Sequence, residues 1–218
     1  MWYKLKKIYI YPDGVTEKQV RPTWKPWANT LAWFPLVDDT TDHVGTATIT
    51  WWTQTKASIW YTFSCTNTGT STTVNGWNFW SAWVKFNSRN NYYISFLNNG
   101  AWFYLKHYES RLNNKFYIFT NSSFSADTSN STWITTWTWY HICFGNDNWT
   151  RKFYINGSNF WNSTATNYFW NDTFWMFGST DVNRTDTADI SDIIVESVCR
   201  TAQEIADYYN QKKSNYGL

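Results

Sequence analysis

The feature that most constrains this chain is a succession of short β-like runs separated by polar turn residues. The candidate strands are 30–37 (TLAWFPLV), 44–51 (VGTATITW), 58–65 (SIWYTFSC), 78–87 (NFWSAWVKFN), 91–97 (NYYISFL) and 102–108 (WFYLKHY). They continue with 115–121 (KFYIFTN), 139–145 (WYHICFG), 151–156 (RKFYIN), 173–179 (TFWMFGS) and 188–196 (ADISDIIVE). Most alternate large apolar with polar residues, the period of a half-buried antiparallel strand. Their linkers are rich in Asn, Ser, Thr, Gly and Asp, the residues that solve turn geometry. Such spacing, with almost no helical period, predicts an all-β fold, a two-sheet antiparallel jelly-roll sandwich with one short C-terminal helix. That helix is signalled by RTAQEIADYYNQKK, where Thr201 and Glu204 have the spacing of a capping box. Ile205, Tyr208 and Tyr209 fall on one face, so the helix should lie on the sandwich surface.

Residues 1–28 differ from the rest. They hold Pro12, Pro22 and Pro26 and a PDG turn, and read as a stem or edge hairpin leading into a main domain at 29–218. With 218 residues the chain is long enough for one well-buried domain. A net charge of +2 with 16% charged residues gives no case for nucleic acid, which needs a clustered basic face. No apolar run reaches the roughly 18–20 residues of a membrane helix, and no signal-peptide core is seen at the N-terminus, so no membrane insertion is expected. Cys65, Cys143 and Cys199 lie far apart without a CxxC, which suits buried thiols rather than a disulfide framework or zinc.

Two counts are out of proportion. The chain has 18 Trp and 9 Gly, where average usage of about 7% glycine gives roughly 15. In TTWTWYHICFGNDNWTRKFYING (135–157), Trp149 sits in a joint where a tight turn wants Gly or Asn. Trp137 sits in the approach to the strand that precedes that joint.

Four blocks carry a family resemblance: NTLAWFPLVDDTTDHVGT (29–46), NFWSAWVKF (78–86), TWTWYHICFGNDNWTRKFYINGS (136–158) and ISDIIVESVCRTAQEIADYYN (190–210). In order and spacing they resemble the laminin-G-like, concanavalin A-like lectin/glucanase jelly rolls of bacterial and phage surface proteins, over about residues 29–212. In that comparison Trp83 and Trp139 match tryptophans of the family and should be core. Trp137 and Trp149 stand where the family has glycine, and Trp60 stands at a small-residue position. This suggests that several tryptophans are glycine codons misread, because some uncultivated bacterial lineages and their phages read UGA as glycine. The alternative is a genuinely Trp-rich lectin. A recoded glycine should show positive φ or an exposed indole.

Glucanases of this fold need two carboxylates, one as acid and one as nucleophile or base. The glutamates here, Glu17, Glu109, Glu196 and Glu204, have no carboxylate at i+2, so no catalytic residues are expected. His43, His107 and His141 are dispersed; His141 stands where the family also has His, and packing explains it better than catalysis. Asp38, Asp39 and Asp42 in VDDTTDH are candidate calcium ligands, as are Asp189 and Asp192; Asx turns account for the same residues. Sugar binding needs aromatic faces and hydroxyl-bonding partners. NNGAWFYLKHYES (98–110) offers Trp102, Tyr104 and Tyr108 along one strand, with Asn98 and Asn99 in the preceding turn. The same stripe also reads as sheet-packing surface.

The resemblance implies a non-catalytic, lectin-like recognition module that binds glycans or another surface ligand on a virion, of tail-fibre type, or on a cell surface. The stem resembles leaders of phage structural proteins. Two other classes remain open: an assembly domain whose partner is another virion or surface protein, and a diverged glycosidase.

Overall fold

In the computed structural model the described residues are 28–34, 42–45, 54–56, 61–66, 70–74, 76–86, 93–98, 101–107, 116–120, 135–147, 150–164, 172–176 and 185–218. Side chains are described in 28–34, 42–45, 74, 76–86, 135–147, 150–160, 162 and 189–218. The proposed stem lies outside these residues.

The described strands are β1 Thr30–Phe34, β2 Gln54–Lys56, β3 Tyr61–Thr66, β4 Thr70–Val74, β5 Phe79–Phe86, β6 Tyr93–Asn98 and β7 Ala101–His107. They continue with β8 Phe116–Thr120, β9 Trp139–Asp147, β10 Thr150–Ile155, β11 Ser158–Thr164, β12 Asp172–Met176 and β13 Thr185–Glu196. The chain then forms helix α1, Ala202–Lys212, and a 3-10 turn, Lys213–Tyr216. All described pairings are antiparallel. One sheet has eight strands, in the order β11-β10-β9-β5-β13-β3-β2, with β1 sharing the outer edge of β13 beside β3. The other has five, in the order β4-β12-β6-β7-β8. The all-β sandwich with one C-terminal helix is therefore the fold.

The strands β2, β4 and β11 fall outside the runs expected from sequence. TSTTV lacks large apolar residues and SNFWNST is interrupted by Ser and Asn, so neither stands out as an apolar run; both take strand geometry in pairing with β12 and β10. Conversely, Val44 and Gly45, at the start of the expected 44–51 run, lie in a bend.

Strand alternation in β5 sorts its side chains into two layers. Trp80, Ala82, Val84 and Phe86 lie on one face, with Phe144 and Ile142 from β9 beside them in register. Phe79, Ser81, Trp83 and Lys85 take the opposite face, beneath α1. Both layers are buried, so β5 reads as apolar on both sides. The helix begins as expected: the Thr201 hydroxyl accepts from Glu204 N, and the Glu204 carboxylate accepts from Thr201 N at 2.8 Å. Ile205 and Tyr208 are buried against the sheet.

Two close approaches seat this helix. A Cβ at Gly145 would collide with Cys199 Sγ, on the segment leading into α1. A Cβ at Gly157 would come within 3.0 Å of Tyr209 Cβ. Gly157 has φ 77° and Asn156 φ 51°, and Ile155 pairs with Ser158, which makes Asn156–Gly157 a two-residue hairpin link.

Trp83 and Trp139 are core, as expected. Trp83 stacks on Tyr216 (4.0 Å between ring centroids), His141 (5.0 Å) and Tyr209 (5.7 Å). Trp137 differs in kind. Its φ is 66°, and it is 67% exposed. Left-handed backbone costs a residue bearing a Cβ roughly 1–2 kcal/mol, and the exposed indole recovers little by burial. Trp137→Gly is therefore expected to raise stability by about 1 kcal/mol or more in denaturant unfolding. An equal or lower midpoint would show that the indole makes up for the strain. Trp149 and Trp60 lie outside the described residues.

Candidate functional site

Asp192, a described ionisable side chain of the larger sheet, is engaged in holding the helix. Asp192 lies at the irregularity in β13 where the register with β5 shifts, with φ 55°. Its Oδ1 accepts from Trp33 Nε1 at 2.7 Å, its Oδ2 accepts from the Tyr208 hydroxyl at 2.5 Å, and Lys212 Nζ lies 3.6 Å away. The Tyr216 hydroxyl donates to Ser191 Oγ at 3.1 Å. Burial raises the Tyr208 and Tyr216 hydroxyls well above their usual range, so both stay protonated. Asp189 is paired with Lys85 at 2.6 Å.

His141 is buried, and burial followed by the charge of Arg200 lowers its pKa to about 3. It is a neutral packing ring at ordinary pH. Cys143 lies with its sulfur 3.4 Å from His141 Nε2 and is raised well up by burial. Cys199 is pushed up to about 12, chiefly by burial. Neither thiol is poised as a nucleophile.

The two described glutamates are both structural. Glu196 accepts from Arg200 Nε and from Arg200 Nη2 (2.8 Å), and its Oε1 also accepts from the Thr30 hydroxyl. Glu204 belongs to the helix cap.

The acidic turn is an Asx arrangement at its described end. Asp42 Oδ1 accepts from Trp33 N (3.0 Å) and Val44 N (2.9 Å). Asp38 and Asp39 lie outside the described residues. Among the described residues no three His, Cys, Asp or Glu side chains come together as a metal site.

Three of the expected sugar-binding residues, Asn98, Trp102 and Tyr104, fall on the five-stranded sheet. Asn98 ends β6, and Trp102 and Tyr104 share one face of β7. Asn99 and Tyr108 lie outside the described residues. What sequence spacing did not disclose is the row across the sheet. Ser71, Trp175, Ser95, Tyr104 and Phe119 are successive register partners from β4 to β8. The opposite face carries Phe174, Phe96 and Phe103 in one row and Met176, Ile94, Leu105 and Ile118 in the next. Val74 shares that second face and is buried. The row containing Tyr104 lies on the face opposite Val74.

No family profile matches the sequence, and no curated protein matches it. Several solved structures share its fold. Trypanosoma rangeli sialidase in complex with sialic acid superposes with a TM-score of 0.67 at 10% identity, covering 86% of this chain and 34% of that one. Domain 4 of AbnA, a GH43 extracellular arabinanase from Geobacillus stearothermophilus in complex with arabinotriose, gives 0.58 at 18% identity, covering 82% and 97%. The botulinum neurotoxin serotype G binding domain gives 0.57 at 18% identity, covering 85% and 52%. The chain thus spans about a third of the sialidase and nearly all of the arabinanase domain. At these identities the likeness establishes a β-sandwich fold.

Proposed function

We propose that this chain is a non-catalytic carbohydrate-recognition module of a virion or cell surface. The observation that carries the reading is one register row of the five-stranded sheet, in which Ser71, Trp175, Ser95, Tyr104 and Phe119 follow one another across consecutive strands. Aromatic rings offer apolar faces to sugar C–H groups, and hydroxyls offer hydrogen bonds to sugar oxygens. Solved structures of the same fold include an arabinanase domain holding arabinotriose and a neurotoxin whose cell entry depends on two ganglioside molecules. The non-catalytic reading is supported by the described acid–base groups, since Glu196, Glu204 and His141 are each engaged in packing or capping. A glycan array probed with the folded chain tests the proposal. Saturable binding to a glycan class is the expected result. A flat array combined with retention of one virion or surface protein would replace it with the assembly reading.

The same proposal includes glycine at some tryptophan positions. Three strand pairs close with two residues between them: Asn98 with Ala101, Ile155 with Ser158, and Asp147 with Thr150. The first two links are Asn99–Gly100 and Asn156–Gly157; the third is Asn148–Trp149. Two-residue hairpin links favour Asn-Gly because both central residues take positive φ. Trp137, with its positive φ and exposed indole, supports the same reading independently. Mass spectrometry of protein from its native source should find glycine at 137 and 149. Tryptophan at both would end the recoding proposal.

A further inference from the structure

We infer that helix α1 is an acid-released cover: a proton taken up by His141 lifts the helix from the eight-stranded sheet while the sandwich beneath stays folded. The inference stands apart from the glycan reading. The imidazole is buried between sheet and helix. Trp83 of β5 stacks on it at 5.0 Å between ring centroids, and Tyr208 and Tyr209 of α1 cover it at 5.0 and 6.3 Å. Cys143 Sγ lies 3.4 Å from its Nε2. Lifting the helix is what opens this layer to water.

The charges around the layer decide what a proton does there. Arg200 lies 5.7 Å and Lys212 5.8 Å from the Tyr208 ring centroid, and Lys213 lies 5.6 Å from that of Tyr209. All three belong to α1 or to the residues at its ends. An imidazolium would thus sit beneath two tyrosines already flanked by cations. The carboxylates of the layer are engaged. Asp192 accepts from Trp33 and Tyr208 and pairs with Lys212, Glu196 accepts from Arg200 and Thr30, and Asp189 pairs with Lys85. Glu204 caps the helix. Burial keeps the hydroxyls of Tyr154, Tyr208, Tyr209 and Tyr216 and the thiols of Cys143 and Cys199 protonated. Stacking on Trp83 favours a cation, but less than burial opposes it.

The sheet can outlast its cover. On their other face β5 and β9 keep a second buried layer, Trp80, Ala82, Val84, Phe86, Ile142 and Phe144. The segment leading into α1 is tied to the sheet: Ser197 N donates to Asn29 O, the Asn78 amide donates to Ser197 O, and Arg200 pairs with Glu196. The helix therefore swings from a fixed root. With 11 residues it is too short to persist in water once off the sheet, so its amides report the release.

Hydrogen exchange of the folded chain, corrected for the intrinsic rate at each pH, measures the opening. The folded ring has a pKa of about 3 against 6.5 for an open one. The open population of α1 should therefore rise about thirtyfold between pH 7.5 and 5. At both values the amides of residues 205–212 should be less protected than those of β5 and β9. His141→Phe should hold α1 exchange level across the same interval. Weak protection in α1 that does not fall further in acid is fraying and overturns the inference. So does α1 exchange matching the slowest sheet amides at both pH values, which is global unfolding. An acid rise that survives in His141→Phe overturns the role of His141. Should that variant not fold, the two profiles of the parent chain decide by themselves.

Discussion

Arg200→Met is expected to cost about 3–5 kcal/mol, the usual penalty for removing one member of a buried ion pair. Arg200 and Glu196 are both buried, and the guanidinium donates to the carboxylate through Nε and Nη2. Thr30 adds a third donor to the same carboxylate, so Glu196 also joins β1 to β13. Without Arg200 the carboxylate remains under the helix with only the threonine hydroxyl. Burial already raises the Glu196 pKa, with Arg200 and Thr30 opposing the shift. Removing Arg200 raises it further. A carboxyl raised in the folded state contributes stability at low pH that is lost as pH rises, so the deficit of the variant should be largest near neutrality and shrink on acidification. Glu196→Leu with Arg200→Met should recover most of the loss, because an apolar pair leaves no buried charge. Urea unfolding of the single and double variants measures both effects. A double variant as unstable as the single would show that the cost lies in packing rather than in the unpaired charge.

The second large effect is loss of stability in mild acid. His141 has a folded pKa of about 3 against an ordinary value of 6.5. The unfolded chain therefore binds a proton between these values that the folded chain refuses. Stability falls as pH drops below about 6.5, by at most about 1.4 kcal/mol per pH unit, or about 2 kcal/mol by pH 5. The groups facing the ring explain the size. Trp83 stacks on it from β5, Tyr208 and Tyr209 cover it from α1, and the Cys143 sulfur lies beside it. The charge of Arg200 adds to the burial effect. Glu204, whose pKa is lowered by its capping bonds, acts in the same direction at lower pH, whereas the raised Glu196 opposes. His141→Phe keeps an aromatic ring in the stack and removes the titration. Its stability should be nearly flat between pH 6.5 and 5, where the parent declines. Parallel pH profiles would assign the acid sensitivity to other groups.

Much of this architecture is readable from the chain because the relevant signals are local. Thr201 and Glu204 announce the helix by a spacing of three, and short runs rich in aromatic residues mark β7, β8 and β10 without any tertiary information. The strands that escape detection, β4 and β11, lack a run of large apolar residues and are seen only through their pairing with β12 and β10. The candidate site divides in the same way. That Trp102 and Tyr104 share a face follows from strand period alone. That Ser71, Trp175, Ser95 and Phe119 join Tyr104 in one row depends on register, which is fixed by pairing between segments far apart in sequence. In the acidic run VDDTTDH, the bond from Trp33 N to Asp42 Oδ1 joins the turn back to β1, a contact that composition alone does not disclose.

Sugar held along the row of Ser95, Tyr104 and Phe119 should be visible at the backbone amides of the five-stranded sheet. Isotope-labelled protein is titrated with the strongest glycan from the array and followed by amide chemical-shift mapping. The predicted result is a set of saturable shifts on β6, β7 and β8 centred on Ser95, Tyr104 and Phe119. Shifts confined to the eight-stranded sheet and its helix, or none on these three strands at saturation, would contradict the claim.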